Sequence, residues 1–439
     1  MRSSDLERIP VDVQMRPMRY AQIYLWSTFL LFLIGSLSAD APSIHLLIMF
    51  VVFAYGLFYV GYRLGVLTKK RKIFHDQKAA STRIVVLVVA LGAIYYTVFS
   101  LTMLADFGVT SFGALADAIL NPGASYKAKL EVFEQRVIVG GVNRITQILV
   151  LASILYAAMI PVLVCYWERV SRHLRAFALF SVGLYAIAFL AIGTMKGIGD
   201  IILFVAAGVA VRISTRSVVL SKVARRSIQL AVFILAVSAA VYMGAGQVSR
   251  AQEFQLVESR VVGDISQSVV ARTFGYDVAF GFYSTLAYPS HGYLGLAYNL
   301  DQDFVFSRGA GLSPAFESYR YQYLGGESNA VLTYPARTEF RTGWPAGMYW
   351  STIFPWIASD LTFFGAGLFM GLVGFVFARV WLRCVAVRDP VALTVLGQIF
   401  VFVAFIPANN QVLMQRQGFW ILVALLLFVL LKLMARVRV

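Results

Sequence analysis

An all-α polytopic membrane protein with about ten crossings is the fold class this sequence predicts, and three observations predict it. Of 439 residues, 59% are hydrophobic and only 14% charged, where a soluble protein carries roughly a quarter charged residues. The apolar residues gather into segments near the ~20-residue length that a ~30 Å hydrocarbon core demands. Lys and Arg fall unevenly among the loops between those segments, as membrane topology requires. The formal net charge of +16 therefore reads as topology, and no nucleic-acid partner is expected.

Taken in order, the expected crossings lie near 21–38, 43–66, 83–104, 145–166, 176–194, 197–211, 228–245, 361–382, 391–407 and 417–435. The first is followed by SLSAD and has the outline of a secretory signal, but its apolar stretch is long for one, so it is read as a crossing. The segment 197–211 is short and is expected to be tilted or broken. An even number puts both termini on one side. With the amino terminus inside, the inner segments hold 24 of the 38 Lys and Arg. They include KKRK at 69–72. The short outer loops hold Lys127, Lys129, Arg136, Arg144, Lys196 and Arg416. The bias gives an N-in, C-in topology. Three regions result: membrane helices over 1–245 with an outer loop at 105–144, a large outer loop over 246–349, and a re-entrant segment with the last membrane helices over 350–439.

The loop 105–144 predicts two helices. Ser111 caps the first, NPG at 121–123 ends it, and Lys127 and Glu131 are spaced to pair on the second. The loop 246–349 is too long to be a plain connector and too aromatic to be disordered. Phe254, Val257, Val261, Ile265 and Val269 are spaced as one face of a helix, whereas GYLGLAYNLDQDFVFSRGAGLSP reads as compact irregular structure. The segment 346–359 is expected to be an interfacial or re-entrant helix, because Pro355 and Asp360 interrupt it.

Charge selection in the large loop points to chemistry. It has seven arginines and no lysine. A guanidinium is a planar fork that grips phosphate or carboxylate with two hydrogen bonds. The plainer alternative is that these arginines pair with the nine acids of the same loop. In YPARTEFRTGW (334–344), Arg337 and Arg341 are four apart with Glu339 between them; together they suit a diphosphate at headgroup depth, which they would stabilise as a leaving group. In GTMKGIGD (193–200), Lys196 and Asp200 are also four apart, beside hydrocarbon where charge is costly and commonly functional. A salt-bridged turn is the alternative. His291, the only histidine of the large loop, is the first candidate for a general base, with Glu339 and Asp360 as others. The two cysteines and four scattered histidines have no metal-ligand spacing. No Walker loop, nucleophile elbow or dinucleotide fingerprint is present, so an ATP-driven pump is not expected.

HGYLGLAYNLDQDFVFSRGAGLSP (291–314), YPARTEFRTGW and WSTIFPWIASDLTFFGAG (350–367) resemble bacterial oligosaccharide repeat-unit polymerases of the O-antigen type. GTMKGIGD is similar to a short Lys-Gly turn in that group. The resemblance implies a C-type membrane glycosyltransferase fold in the bacterial inner membrane with its site facing the periplasm. It implies transfer of a growing glycan from undecaprenyl diphosphate to the next lipid-linked repeat unit, without metal or other cofactor. Donor and acceptor would both be lipid-linked oligosaccharides, and a chain-length regulator and a flippase would be partners. On the matching motifs, Arg337 and Arg341 would bind the donor diphosphate, with Arg272 and Lys196 as further candidates. An O-antigen ligase shares the donor and is the nearest alternative. A non-enzymatic polysaccharide transporter is another, although few acids lie within the crossings.

Overall fold

The computed structural model describes residues 9–68, 80–139, 144–215, 222–254 and 260–437. KKRK at 69–72 and Val257 lie outside the described residues. All regular structure among the described residues is helical. The first half contains α1 (Val11–Ile34), α2 (Ile44–Leu67), α3 (Thr82–Asp106), α4 (Phe112–Leu120), α5 (Pro122–Val139), α6 (Arg144–Leu151), α7 (Ile154–Cys165), α8 (Arg172–Ala191), α9 (Lys196–Ser214) and α10 (Lys222–Glu253). The large loop contributes α11 (Val269–Phe274), α12 (Tyr276–Ala287), α13 (Gly292–Leu300), α14 (Pro314–Leu324) and α15 (Tyr334–Thr342), and the chain ends with α16 (Phe354–Val387), α17 (Pro390–Phe405), α18 (Gln411–Met414) and α19 (Arg416–Val437).

Each expected crossing falls largely on helix, 145–166 on two helices. By length and composition, α2, α3, α8, α9 and α16 are each sufficient to cross a membrane; α6 and α7, bent by 56° at their junction, make a sixth if taken together. The helix α9 runs through 197–211 without interruption and is 19 residues long, so of the two expectations the break is not there. The apolar helix α17 is shorter, and α1 is diluted by Gln14, Arg16, Arg19 and Gln22.

The most extensive helix pair is α2 with α16. Its spacing follows from small residues: a Cβ on Gly61 would run into the Gly371 carbonyl, and one on Gly374 into the Phe58 carbonyl. Backbones can approach this closely only where side chains are absent, which is how helices associate in lipid.

Local signals in the loop 105–144 were sufficient. The Ser111 hydroxyl accepts the Ala114 N–H and opens α4. Pro122 then starts α5, where its fixed φ suits the first turn. Lys127 pairs with Glu253 at the end of α10, at 3.0 Å, rather than with its helical neighbour Glu131.

The large loop differs more from expectation. The helix expected through Val261 and Ile265 is absent: both are buried in irregular structure between α10 and α11. GYLGLAYNL is helical and forms α13, while residues 301–313 are irregular as expected. The helix α13 is also inserted among the membrane helices. Tyr293 is fully buried, and its hydroxyl shares hydrogen bonds with Tyr55 of α2 at 2.6 Å and Thr28 of α1 at 2.9 Å. Pro355 opens α16 instead of interrupting a helix from 346, and the break comes at Thr362, whose φ of 62° and ψ of 167° leave the helical region.

Candidate functional site

YPARTEFRTGW folds as α15. The Thr333 hydroxyl caps it and Gly343, with φ of 66°, ends it in the left-handed region. A cavity of about 690 Å³ is lined by Asp301, Asp303, Arg337, Glu339, Phe340 and Arg341, among others. Both arginines have protein partners. Arg341 donates to the Asp301 carboxylate at 2.9 Å and to its carbonyl at 3.0 Å. Arg337 donates to the carbonyls of Asp303 and Leu332 and lies 4.7 Å from the Tyr334 ring. With three carboxylates against two guanidiniums, the lining is acidic by one charge. A diphosphate clasp would need the opposite balance. Carboxylates beside a 95% exposed Phe340 suit a polyhydroxyl ligand, whose hydroxyls donate and whose C–H faces stack on a ring.

Two of the three expected bases are structural. His291 is buried, with its ring stacked on Trp350 at 5.1 Å. Its Nδ1 faces the Ala287 carbonyl at 3.2 Å and its Nε2 accepts the Trp350 N–H at 3.2 Å. The first contact requires a proton on Nδ1 and the second forbids one on Nε2, so the neutral tautomer is fixed. Burial lowers its pKa to about 4. Neither nitrogen is left to take a substrate proton, which corrects the role expected for His291. Asp360 accepts from the Ser307 hydroxyl at 2.7 Å and from the N–H groups of Gly309 and Leu312 at 2.8 and 2.7 Å. It is the post around which 307–312 winds, not a base. Glu339 keeps its exposure and accepts one backbone N–H, from Ala346. Arg272 is exposed on α11 and does not line the α15 cavity.

Positive charge converges elsewhere, at the turn GTMKGIGD. Gly193, with φ of 67°, lets this turn meet the start of α5, where a Cβ would strike Pro122 and Tyr126. Tyr126 carries two cations on its ring: Lys129 at 5.0 Å and Arg250, from the end of α10, at 4.2 Å. Arg250 also donates to the Gly193 carbonyl. Burial first, and then the fields of Arg250 and Lys196, lower the Lys129 pKa to about 8. Lys196 pairs with Asp200 at 2.6 Å, and the Tyr156 hydroxyl donates to the same carboxylate oxygen at 2.7 Å. Lys127 is paired with Glu253 nearby.

This node is also incompletely bonded. Among the described residues, the buried atoms Arg250 Nε, Thr194 Oγ1, Asp200 Oδ1 and Gln411 Oε1 have no hydrogen-bond partner. Such atoms are costly in a folded chain and mark places where a ligand or water completes the bonding. Beside Asp200, a void of about 20 Å³ is bordered by Gln398, Gln411, Gln415 and Gln417. It has room for about one water.

No protein family, no curated protein and no solved structure matches this chain. The chemistry therefore rests on the two sites themselves. The node has an unused guanidinium donor, on Arg250, that suits an oxyanion; the α15 cavity has the size and acceptors to hold a sugar. Of the residues expected from sequence, Lys196 belongs to the node and Arg337, Glu339 and Arg341 to the cavity. Lys129 was not foreseen, and Arg250 was marked only as one of the seven arginines of the large loop.

Proposed function

We propose that this chain is a metal-independent glycosyltransferase of the bacterial inner membrane, with ten crossings, both termini inside and a C-type glycosyltransferase-like fold. It joins oligosaccharide repeat units carried on undecaprenyl diphosphate at the periplasmic face, making O-antigen or exopolysaccharide. The observation that most supports this reading is the node of Lys129, Lys196 and Arg250, whose unused guanidinium donor suits the diphosphate of a lipid-linked donor. Fixed cations there would stabilise the negative charge that develops on the leaving diphosphate. The α15 cavity would take sugar, with Glu339 as base. The acceptor hydroxyl gives its proton to Glu339, its oxygen attacks the anomeric carbon, and the bond to the diphosphate breaks with its electron pair leaving on the phosphate. The reading requires that a donor held at the node present its sugar to the α15 cavity.

Reconstitution with a lipid-linked repeat unit tests this. A ladder of products that forms in the presence of chelator and is lost in Arg250→Gln is expected. Absence of any ladder, or a ladder indifferent to substitution at Lys129, Lys196 and Arg250, overturns the reading. Transfer to a lipid A-core acceptor but not to a second repeat unit would make the chain a ligase.

A further inference from the structure

A second cavity lies away from both sites, between α1 and the α9–α16–α17 face. It has a volume of about 740 Å³. Its walls are apolar: Leu203, Ala206 and Ala210 from α9, Phe377 and Trp381 from α16, and Val403 from α17. Two of the α9 wall residues, Ala206 and Ala210, have small side chains. The helix α1 bridges the cavity at both ends. Arg16 Nη1 donates to Ser214 Oγ at 3.5 Å, and the Tyr24 hydroxyl donates to the Ala404 carbonyl at 2.6 Å.

Height and charge identify the occupant. The lining of α1 runs from Asp12 to Tyr24, about 18 Å at ~1.5 Å per residue. One leaflet contributes about half of the ~30 Å hydrocarbon core. The cavity is therefore about one leaflet tall. Its ends differ: Tyr24 lies at the inner end, while Asp12, Arg16 and Arg19 lie at the end nearer the amino terminus. There one carboxylate is shared by two guanidiniums, at 2.9 and 3.1 Å, which leaves one positive charge at the mouth. An apolar slot of leaflet height with a cationic rim matches acyl chains below a phosphate headgroup, and anionic lipids are the ones drawn to such arginines.

We propose that this groove binds one anionic diacyl phospholipid of the leaflet on the amino-terminal side, and that this lipid wedges α1 onto α9 and α17. The site does not depend on the glycosyltransferase reading. The test uses the full chain purified in mild detergent, with bound lipid read by native mass spectrometry and thermal stability read after delipidation. The wild-type chain is expected to retain one phosphatidylglycerol and, once delipidated, to regain several degrees in Tm from phosphatidylglycerol but not from phosphatidylcholine. Arg16→Gln and Arg19→Gln should each weaken retention about fivefold. Ala206→Phe with Ala210→Phe should fill the slot and expel the lipid while raising or preserving Tm in its absence. Equal response to both lipids, unchanged retention in the arginine and alanine variants, or capture of a polyprenyl phosphate instead would overturn the proposal.

Discussion

The α15 cavity and the node at GTMKGIGD both contain arginine or lysine beside carboxylate, yet they are opposite in kind. In the cavity the charges are exposed and acids outnumber bases: Arg341 is spent on Asp301, and Arg337 on backbone carbonyls. At the node the cations are partly buried, and Arg250 keeps a buried donor unused. A pair of arginines in sequence is therefore weak evidence of an anion site. What counts is whether the donors are already occupied after folding.

The sharpest way to break this contrast is at Arg250. Arg250→Gln should lower the rate of product formation by about 10²–10³, the cost of removing one preorganised donor from a developing anion, with insertion and Tm near wild type as the control. An equal loss in Arg337→Gln would erase the distinction between the sites. Next in size is the support of the loop. His291→Ala loses a buried stacked ring and two hydrogen bonds and should cost about 2–4 kcal/mol of stability, read as a drop in Tm. A variant that keeps its Tm but loses turnover would restore His291 as a base. Because burial lowers the folded-state pKa of His291 from 6.5 to about 4, the unfolded chain takes up a proton that the folded chain refuses between those values. Its contribution is thus present above pH 6.5 and is lost as pH falls through 4.

Smaller effects separate the cavity from the node further. Phe340→Ala and Glu339→Gln touch the cavity. The first should raise the apparent KM for the sugar acceptor about fivefold and leave inhibition by inorganic diphosphate unchanged; the second should act on kcat. A weakened diphosphate inhibition in either would join the two sites into one. The smallest expected effect is in pH dependence. With a pKa of about 8, Lys129 is charged below pH 8 and loses its charge above it. Diphosphate binding, measured by calorimetry in detergent, should weaken a few-fold as pH rises through 8, and Lys129→Met should remove that step.

Sequence was informative where the cause is local. The Ser111 cap and NPG at 121–123 are decided within a few residues, and both stand. Apolar runs of crossing length fall on helices for the same reason. It failed where the cause is distant. The glycines of GYLGLAYNL read as loop, but Gly292 and Gly295 are small because the Pro407 and Trp350 carbonyls pack against them. The spacing of Val261 and Ile265 fits a helix, yet each is buried by tertiary contacts in non-helical structure. His291 and Asp360 attracted functional roles by residue type, and only their hydrogen bonds reveal that the fold uses them up. The node was illegible because Lys129, Lys196 and Arg250 come from three helices and meet only through Tyr126 and the Gly193 turn.

The insertion of Tyr293 between Tyr55 and Thr28 also bears on how the chain is made. The first two helices leave the ribosome more than two hundred residues before α13 exists to complete them. Until then two hydroxyls of the α1–α2 hairpin face their surroundings without that partner, and contacts so far apart in the chain form late. Assembly of this protein is therefore closed by its second half returning to its beginning, and synthesis halted before residue 292 should yield inserted helices that membrane proteases still recognise as unfinished.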